Sequence, residues 1–115
     1  MKAHRAIALT IALTVPATAV AAAKTKFWNL TAETITDLRL APVGTEKFGP
    51  NLTAADKDGT VDHDENLTVV GVTSGHYDVR FVDAKGRRCT VPNVEVRQGE
   101  TFSLDENELP AACRK

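Results

Sequence analysis

Apolar and polar residues alternate with a period of two along most of the chain from Phe27 onward. Successive side chains of a β-strand point to opposite faces, so this period predicts strands that are buried on one side. Gly, Pro, Asn and Asp separate the alternating runs, as turn residues do. The predicted strands cover residues 26–30, 34–41, 67–72, 76–82, 87–91, 94–97 and 101–104.

The run over residues 76–82 has the clearest alternation. Tyr77, Val79 and Phe81 share one face of it, and polar residues occupy most of the other face. We therefore predict that these three side chains belong to the core. Residues 83–86 follow as a hairpin turn, in which a glycine is available for a positive φ angle.

Short strands at this spacing, without helical periodicity, predict an all-β fold. We expect a small β-sandwich of immunoglobulin-like or transthyretin-like type with about six or seven strands. After the last strand, Ser103 and Glu106 have the spacing of a capping box, and Pro110 would end the helical turn that begins there.

The first 23 residues have the pattern of a secretory signal peptide. Lys2 and Arg5 form a positive start, an apolar run follows over residues 6–15, and residues 21–23 are three alanines suited to cleavage. The apolar run is too short to span a bilayer. We expect one β-sandwich domain over residues 24–115, located in the periplasm or secreted, with no membrane span after cleavage.

The chain contains two cysteines, Cys89 and Cys113. Thiols pair in an oxidising compartment, so export predicts a disulfide between them. Pairing within one chain would close a loop of about 25 residues and stabilise the fold by about 3.5 kcal/mol. Pairing between two chains stays open at this point.

Charge is distributed unevenly. Without residues 1–23 the chain holds 12 Lys and Arg against 15 Asp and Glu, a formal charge of −3. Residues 56–65, which we call the acidic loop, contain five acids and one Lys, so the remainder is close to neutral. A nucleic-acid-binding surface of the basic type is therefore not expected.

The acidic loop resembles the calcium loop of EF-hand proteins. Aligned on Gly59, its residues match the loop's third, fifth, ninth and twelfth positions, and a backbone carbonyl matches the seventh. A hard cation takes six to eight oxygens, and the glycine allows the bend that brings them together. The resemblance implies a Ca²⁺ site formed by Asp56, Asp58, Asp62 and Glu65, the carbonyl of Thr60, and Asp64 as a further candidate.

Two features depart from the EF-hand pattern. Ala54 occupies the first ligand position and has no side-chain oxygen. The residues before and after the loop also break helices rather than form them, so the resemblance covers residues 54–65 and not the helix–loop–helix fold. Two alternatives therefore remain: a solvated acidic turn, in which Asp and Gly serve turn geometry, and a charged patch that docks a partner.

Nearly all of residues 24–115 also resembles a loose group of small exported bacterial proteins of unknown function. The resemblance depends on the aromatic and N-x-T start at residues 27–31, the Phe48-Gly49 step, and a block from Tyr77 to Cys89. It implies export and a β-sandwich, and it implies no activity.

Catalytic groups do not form a recognisable arrangement in the sequence. His63 lies in the acidic loop and His76 on the polar face of a strand, and no serine has the surroundings of a nucleophile. Trp28 is a single aromatic residue, for which core packing or edge coverage is the ordinary role, since sugar platforms usually present several aromatics. We therefore expect no enzymatic activity.

The sequence thus predicts a non-enzymatic exported binding module that holds Ca²⁺ or a similar hard cation in the acidic loop. The alternative is a structural or protein-interaction domain of the bacterial envelope, without a metal, whose partner is another envelope protein.

Overall fold

The computed structural model describes residues 23–114, which form six strands and two short 3₁₀ turns. The signal-peptide prediction therefore lies, except for Ala23, outside the described residues. In chain order the elements are β1 (Lys26–Leu30), β2 (Ile35–Pro42), a first 3₁₀ turn (Leu52–Ala55), β3 (Asn66–Thr68), β4 (Gly75–Asp83), β5 (Arg88–Val96), β6 (Thr101–Asp105) and a second 3₁₀ turn (Glu106–Glu108).

The strands form two sheets of three, with the orders β3-β1-β6 and β2-β4-β5. All pairings are antiparallel except that of β1 with β6, which is parallel. This architecture confirms the predicted all-β fold and the small β-sandwich. Parallel pairing of the first and last strands brings the two ends of the domain together, and the alternation along the sequence did not indicate it.

The core lies between the two sheets and is formed by alternate residues of the strands. Phe27 of β1 and Phe102 of β6 pack with their ring centroids 5.3 Å apart. Val79 and Phe81 of β4 are fully buried, as predicted, whereas Tyr77 is only partly buried at the edge of the core. Burial of each such large apolar side chain stabilises the fold by about 1.5–3 kcal/mol.

The strand predicted over residues 67–72 is wrong in its extent, because β3 ends at Thr68. Val69 is buried and its N–H bonds the carbonyl of Thr25, but the chain then leaves the sheet. Val70 is 68% exposed, and Gly71 follows with a φ of 77°. The β-branched valines at 69, 70 and 72 favour a strand, but they do not show whether the backbone finds a partner strand.

Residues 87–91 and 94–97, predicted as two strands, are largely one strand, β5. Its register against β4 shifts at Pro92 and Asn93, where β5 contains one more residue than β4. Asn93 takes a φ of 54° and donates its N–H to the Asp78 carboxylate at 3.1 Å. A bulge of this kind absorbs the extra residue, and proline is tolerated because β5 lies at the edge of its sheet.

The predicted cap at Ser103 is also wrong, because Ser103 lies within β6. Asp105 begins the second 3₁₀ turn instead, and its side chain accepts a hydrogen bond from the N–H of Asn107 at 2.9 Å. The short polar side chain that caps the turn is thus two residues later than the sequence pattern suggested.

The outer edge of β2 is covered by the segment that leads to the first 3₁₀ turn. Asn51 accepts a hydrogen bond from the N–H of Leu38 at 3.0 Å and donates to the carbonyl of Thr36 at 3.4 Å. The N–H of Gly49 bonds the carbonyl of Leu40 at 2.9 Å. This cover satisfies backbone groups of β2 that would otherwise be free to pair with a strand of another chain.

The end of the chain is held by a disulfide and by one arginine. Cys89 and Cys113 are bonded within the chain, with their Cα atoms 5.6 Å apart, which confirms the predicted disulfide. Arg87 donates to the Cys113 carbonyl at 2.6 Å, forms an ion pair with Asp83 at 2.9 Å, and binds both carboxylate oxygens of Glu106 at 2.7 and 2.8 Å. In residues 23–114 there is no helix of the length and apolarity that a membrane crossing requires.

Candidate functional site

The acidic loop is joined to both sheets by backbone hydrogen bonds. Val61 and Ile35 form an isolated antiparallel bridge, with both N–H to carbonyl distances at 2.9 Å. The N–H of Asn29 bonds the carbonyl of Glu65 at 3.0 Å, and the N–H of Asp64 bonds the carbonyl of Asn29 at 2.7 Å. The second half of the loop therefore has a fixed path beside β1 and β2.

The Asn29 side chain is a buried connection between β1 and this loop. It is fully buried, and its amide donates to the carbonyls of Val61 at 2.8 Å and Glu33 at 2.9 Å. Its oxygen accepts from the N–H and the hydroxyl of Thr31 at 3.0 and 2.6 Å. Every polar group of the side chain is thus satisfied by the turn and the loop, as burial requires.

The same arrangement occurs at the second N-x-T sequence. The oxygen of Asn51 accepts from the N–H of Thr53 at 3.0 Å and from its hydroxyl at 2.9 Å. Asn66, in the third such sequence, is exposed in β3 and makes no bond of this kind. Residues 29–31, 51–53 and 66–68 all have the N-x-T spacing, which does not distinguish the two sequences that organise loops from the one that does not.

The first half of the acidic loop is a tight turn. The carbonyl of Asp56 accepts from the N–H of Gly59 at 3.1 Å, and its carboxylate accepts from the N–H of Asp58 at 3.2 Å. Gly59 has a φ of 71°, in the left-handed region that glycine adopts readily. The bend expected at this glycine is therefore present, and Asp58 is exposed at its tip.

Of the predicted ligands, Asp62 and Glu65 are joined by a hydrogen bond, and Asp56 is near enough to influence the charge of Glu65. Glu65 accepts the N–H of Asp62 at 3.3 Å, which acts to lower the pKa of Glu65. Partial burial, a hydrogen bond with the Asp56 side chain and the charges of Asp56 and Asp62 act in the opposite direction and outweigh it, so the pKa of Glu65 is raised. The acids of the loop thus influence one another's charge, and a proton on Glu65 is favoured.

The other predicted ligands do not join this group. Asp64 has a φ of 65°, and its carboxylate accepts a hydrogen bond from the indole N–H of Trp28 at 2.9 Å. Asp58 is exposed at the turn, and Thr60 is half-buried next to Val61. Throughout the described part of the chain, no set of three or more His, Cys, Asp or Glu side chains has an arrangement that could hold a metal ion.

Two contacts explain why the loop keeps this shape. Asp62 accepts a hydrogen bond from the Thr34 hydroxyl at 3.0 Å. The Nδ1 atom of His63 lies 2.6 Å from the carbonyl of Thr31, so this nitrogen carries the proton. His63 therefore links the loop to the turn after β1, whereas His76 is exposed on the outer face of β4.

The chain matches no family model and no curated protein. Among solved structures it is similar to an NMR structure of a protein from Eubacterium rectale, at 15% sequence identity and a TM-score of 0.44. The similarity covers 74% of this chain and 80% of that one.

Proposed function

We propose that the protein is a non-enzymatic, exported binding module whose acidic loop takes up a hard cation such as Ca²⁺. The observation that supports this is the concentration of carboxylates in the loop, where Glu65 accepts the N–H of Asp62 and the charges of Asp56 and Asp62 act to raise the pKa of Glu65. Within residues 23–114, no Lys or Arg forms an ion pair with a carboxylate of this loop. The loop therefore contains a negative charge that its own chain does not neutralise.

Two unit charges about 4 Å apart repel by about 1–4 kcal/mol in water and near a protein surface. A proton on Glu65 removes that repulsion at low pH, and a cation between the carboxylates removes it at neutral pH. Ca²⁺ fits because its ligands are oxygens and its coordination geometry is flexible. Asp58, exposed beside Gly59, is the further residue of the turn that would serve as a ligand.

Titration with Ca²⁺ and with Tb³⁺ tests the proposal. We expect the melting temperature to rise with Ca²⁺ concentration, since a ligand that binds only the folded state stabilises it by about 2.7 kcal/mol at one hundred times its Kd. Tb³⁺ luminescence, sensitised by Trp28, should appear and then decrease as Ca²⁺ competes for the site.

Glu65→Gln and Asp56→Asn should remove both responses. Glu108→Gln is the matched control, because Glu108 is an exposed acid outside the loop. An unchanged melting temperature in millimolar Ca²⁺, or a response that persists in Glu65→Gln, would refute the cation site.

In that case the alternative function becomes the better one, a structural or protein-interaction domain of the bacterial envelope. It is favoured by the structural roles of the carboxylates, because Asp56, Asp62, Asp64 and Glu65 each accept a hydrogen bond within the domain. Such bonds are sufficient for a solvated turn that carries charge without a ligand. Location in the periplasm or outside the cell is part of both proposals, and cell fractionation with sequencing of the mature N-terminus checks it.

A further inference from the structure

The outer face of the sheet β3-β1-β6 has one aromatic residue at its centre. Trp28 lies on the middle strand, directly opposite Asn66 of β3 on one side and Ser103 of β6 on the other. Lys26, two residues earlier on the same face, lies opposite Thr68 and Thr101. The indole is therefore flanked on both sides by small polar side chains.

The ring is held in one orientation although it is exposed. Its N–H donates to Asp64 at 2.9 Å, and 37% of the residue remains open to solvent. The other large exposed apolar residues of the described chain, Val43 and Val70, lie outside this sheet. Trp28 thus lies neither in the core nor at a sheet edge, the two ordinary places of a lone aromatic, and its exposed part is an oriented aromatic surface available to a ligand.

The polar neighbours of the ring are also available. In the part of the chain that the structure describes, the side chains of Asn66 and Ser103 form no hydrogen bond, and the same holds for Thr68 and Thr101. Neighbouring strands lie about 4.8 Å apart, so Asn66 and Ser103 stand about 10 Å apart with the indole between them. An amide and a hydroxyl with unused donors and acceptors thus border the ring on two sides.

We propose that this face, which we call the Trp28 platform, binds a neutral saccharide through a single pyranose ring. A pyranose has a face of C–H groups that packs on an indole and a rim of hydroxyls that both donate and accept hydrogen bonds. The C–H face would pack on Trp28, and the hydroxyls would form hydrogen bonds with Asn66 and Ser103. Asp64 acts as a positioning residue, because its carboxylate fixes the indole from the side.

The surroundings favour a neutral sugar over other ligands of an aromatic ring. A cation would also pack on the indole, but the positive charge of Lys26 lies on the same face and would repel it. An apolar peptide would require further apolar contacts, whereas the residues opposite Trp28 and Lys26 are Asn, Ser and Thr. This ligand is independent of the cation proposed for the acidic loop.

The single tryptophan makes the test direct, since all indole fluorescence comes from Trp28. Neutral oligosaccharides built from glucose, N-acetylglucosamine, galactose or mannose are titrated to millimolar concentration, in EDTA and again in Ca²⁺. We expect one class to change the fluorescence and to shift the indole N–H resonance, with or without Ca²⁺. A response to tetramethylammonium with none to any sugar would overturn the proposal.

Substitutions in the Trp28 platform show whether the sugar binds there. Their sugar affinities are measured by calorimetry or NMR, because neither method requires the indole. Trp28→Ala should weaken binding by about tenfold or more, and Ser103→Ala or Asn66→Ala by about twofold to tenfold through loss of one hydrogen bond. Thr90→Ala is the matched control, an exposed hydroxyl on the strand β5 of the other sheet. Equal affinity of Trp28→Ala and the unaltered protein, or no binding of any sugar, would refute the proposal.

Discussion

Two regions of the molecule contain several carboxylates, and the regions differ in which groups lie beside those negative charges. Around Arg87, which is 11% exposed, Asp83 and Glu106 bind one guanidinium that also packs on the ring of Phe81 with 5.4 Å to its centroid. The hydrogen bond with Glu106 is the largest cause of the raised pKa of Arg87. In the acidic loop, the neighbouring charges of Asp56 and Asp62 instead act to raise the pKa of Glu65. The acids of the first region are paired with an arginine, whereas among the described residues no Lys or Arg forms an ion pair with those of the second.

The largest effect is expected from Arg87→Met, which breaks the neutralised region. Asp83 is fully buried, and removal of its partner leaves a buried charge, so we expect a loss of about 3–5 kcal/mol in the free energy of unfolding. Urea denaturation measures it. Arg87→Lys keeps the charge but not the bidentate contact with Glu106. Its free energy of unfolding should therefore lie between those of Arg87→Met and the unaltered protein. A loss under 1 kcal/mol in Arg87→Met would show that the cluster is not a stabilising one.

Removal of the disulfide releases the tail that Arg87 holds. The double variant Cys89→Ser, Cys113→Ser should lower the free energy of unfolding by about 3.5 kcal/mol through the freed loop entropy. Calorimetry of the variant beside the unaltered, disulfide-bonded protein measures this loss. Because the tail contacts Arg87 through the Cys113 carbonyl, the combined effect with Arg87→Met should be less than the sum. Additive losses would contradict this coupling.

Asn29→Ala breaks the connection that holds the acidic loop. It leaves the carbonyls of Val61 and Glu33 without this donor in the interior, and we expect a loss of about 2–3 kcal/mol. Thermal unfolding followed by circular dichroism measures it. Asn66→Ala is the matched control from the exposed N-x-T sequence and should change stability by less than about 0.5 kcal/mol. Equal losses in the two variants would disprove the special role of Asn29.

The smallest effect is the pH dependence that Glu65 introduces. Its pKa is raised in the folded protein, so between its ordinary value and the raised value the folded state binds more protons than the unfolded state. Stability therefore falls as the pH rises through that window, and Glu65→Gln should remove this slope. Denaturant midpoints measured across the acidic pH range show it.

Glu95 provides a control of opposite sign. Its hydrogen bond with Arg97 lowers the pKa of Glu95, so the contribution of Glu95 is present above its ordinary pKa and is lost as the pH falls through the lowered value. Glu95→Gln should flatten that part of the curve and leave the Glu65 slope unchanged. A Glu65→Gln curve parallel to that of the unaltered protein would contradict the raised pKa of Glu65.

Strands and core could be predicted because each strand places its own side chains on alternate faces. Val79 and Phe81 were identified without knowledge of their partners, since any neighbouring sheet buries that face. The disulfide followed from the count of cysteines and the predicted compartment. Within the acidic loop, the bend at Gly59 was also predicted from the pattern.

The arrangement of the carboxylates could not be predicted in the same way. Asp64 and Glu65 are adjacent in the sequence, yet one accepts a hydrogen bond from Trp28 and the other from the N–H of Asp62, because the φ of 65° at Asp64 turns the chain between them. The role of Asn29 likewise depends on Val61, 32 residues away. Spacing in the sequence carries no information on such distant contacts.

The sequence by itself determined the strands, the inward residues, the cysteine pair and the concentration of negative charge, because these follow from local alternation and composition. Only the tertiary structure decided which carboxylates form an ion pair with Arg87 and which strands pair in parallel. It also decided that Trp28 faces solvent between Asn66 and Ser103. The physical reason is that pairing and neutralisation depend on residues brought together by the packing of the two sheets.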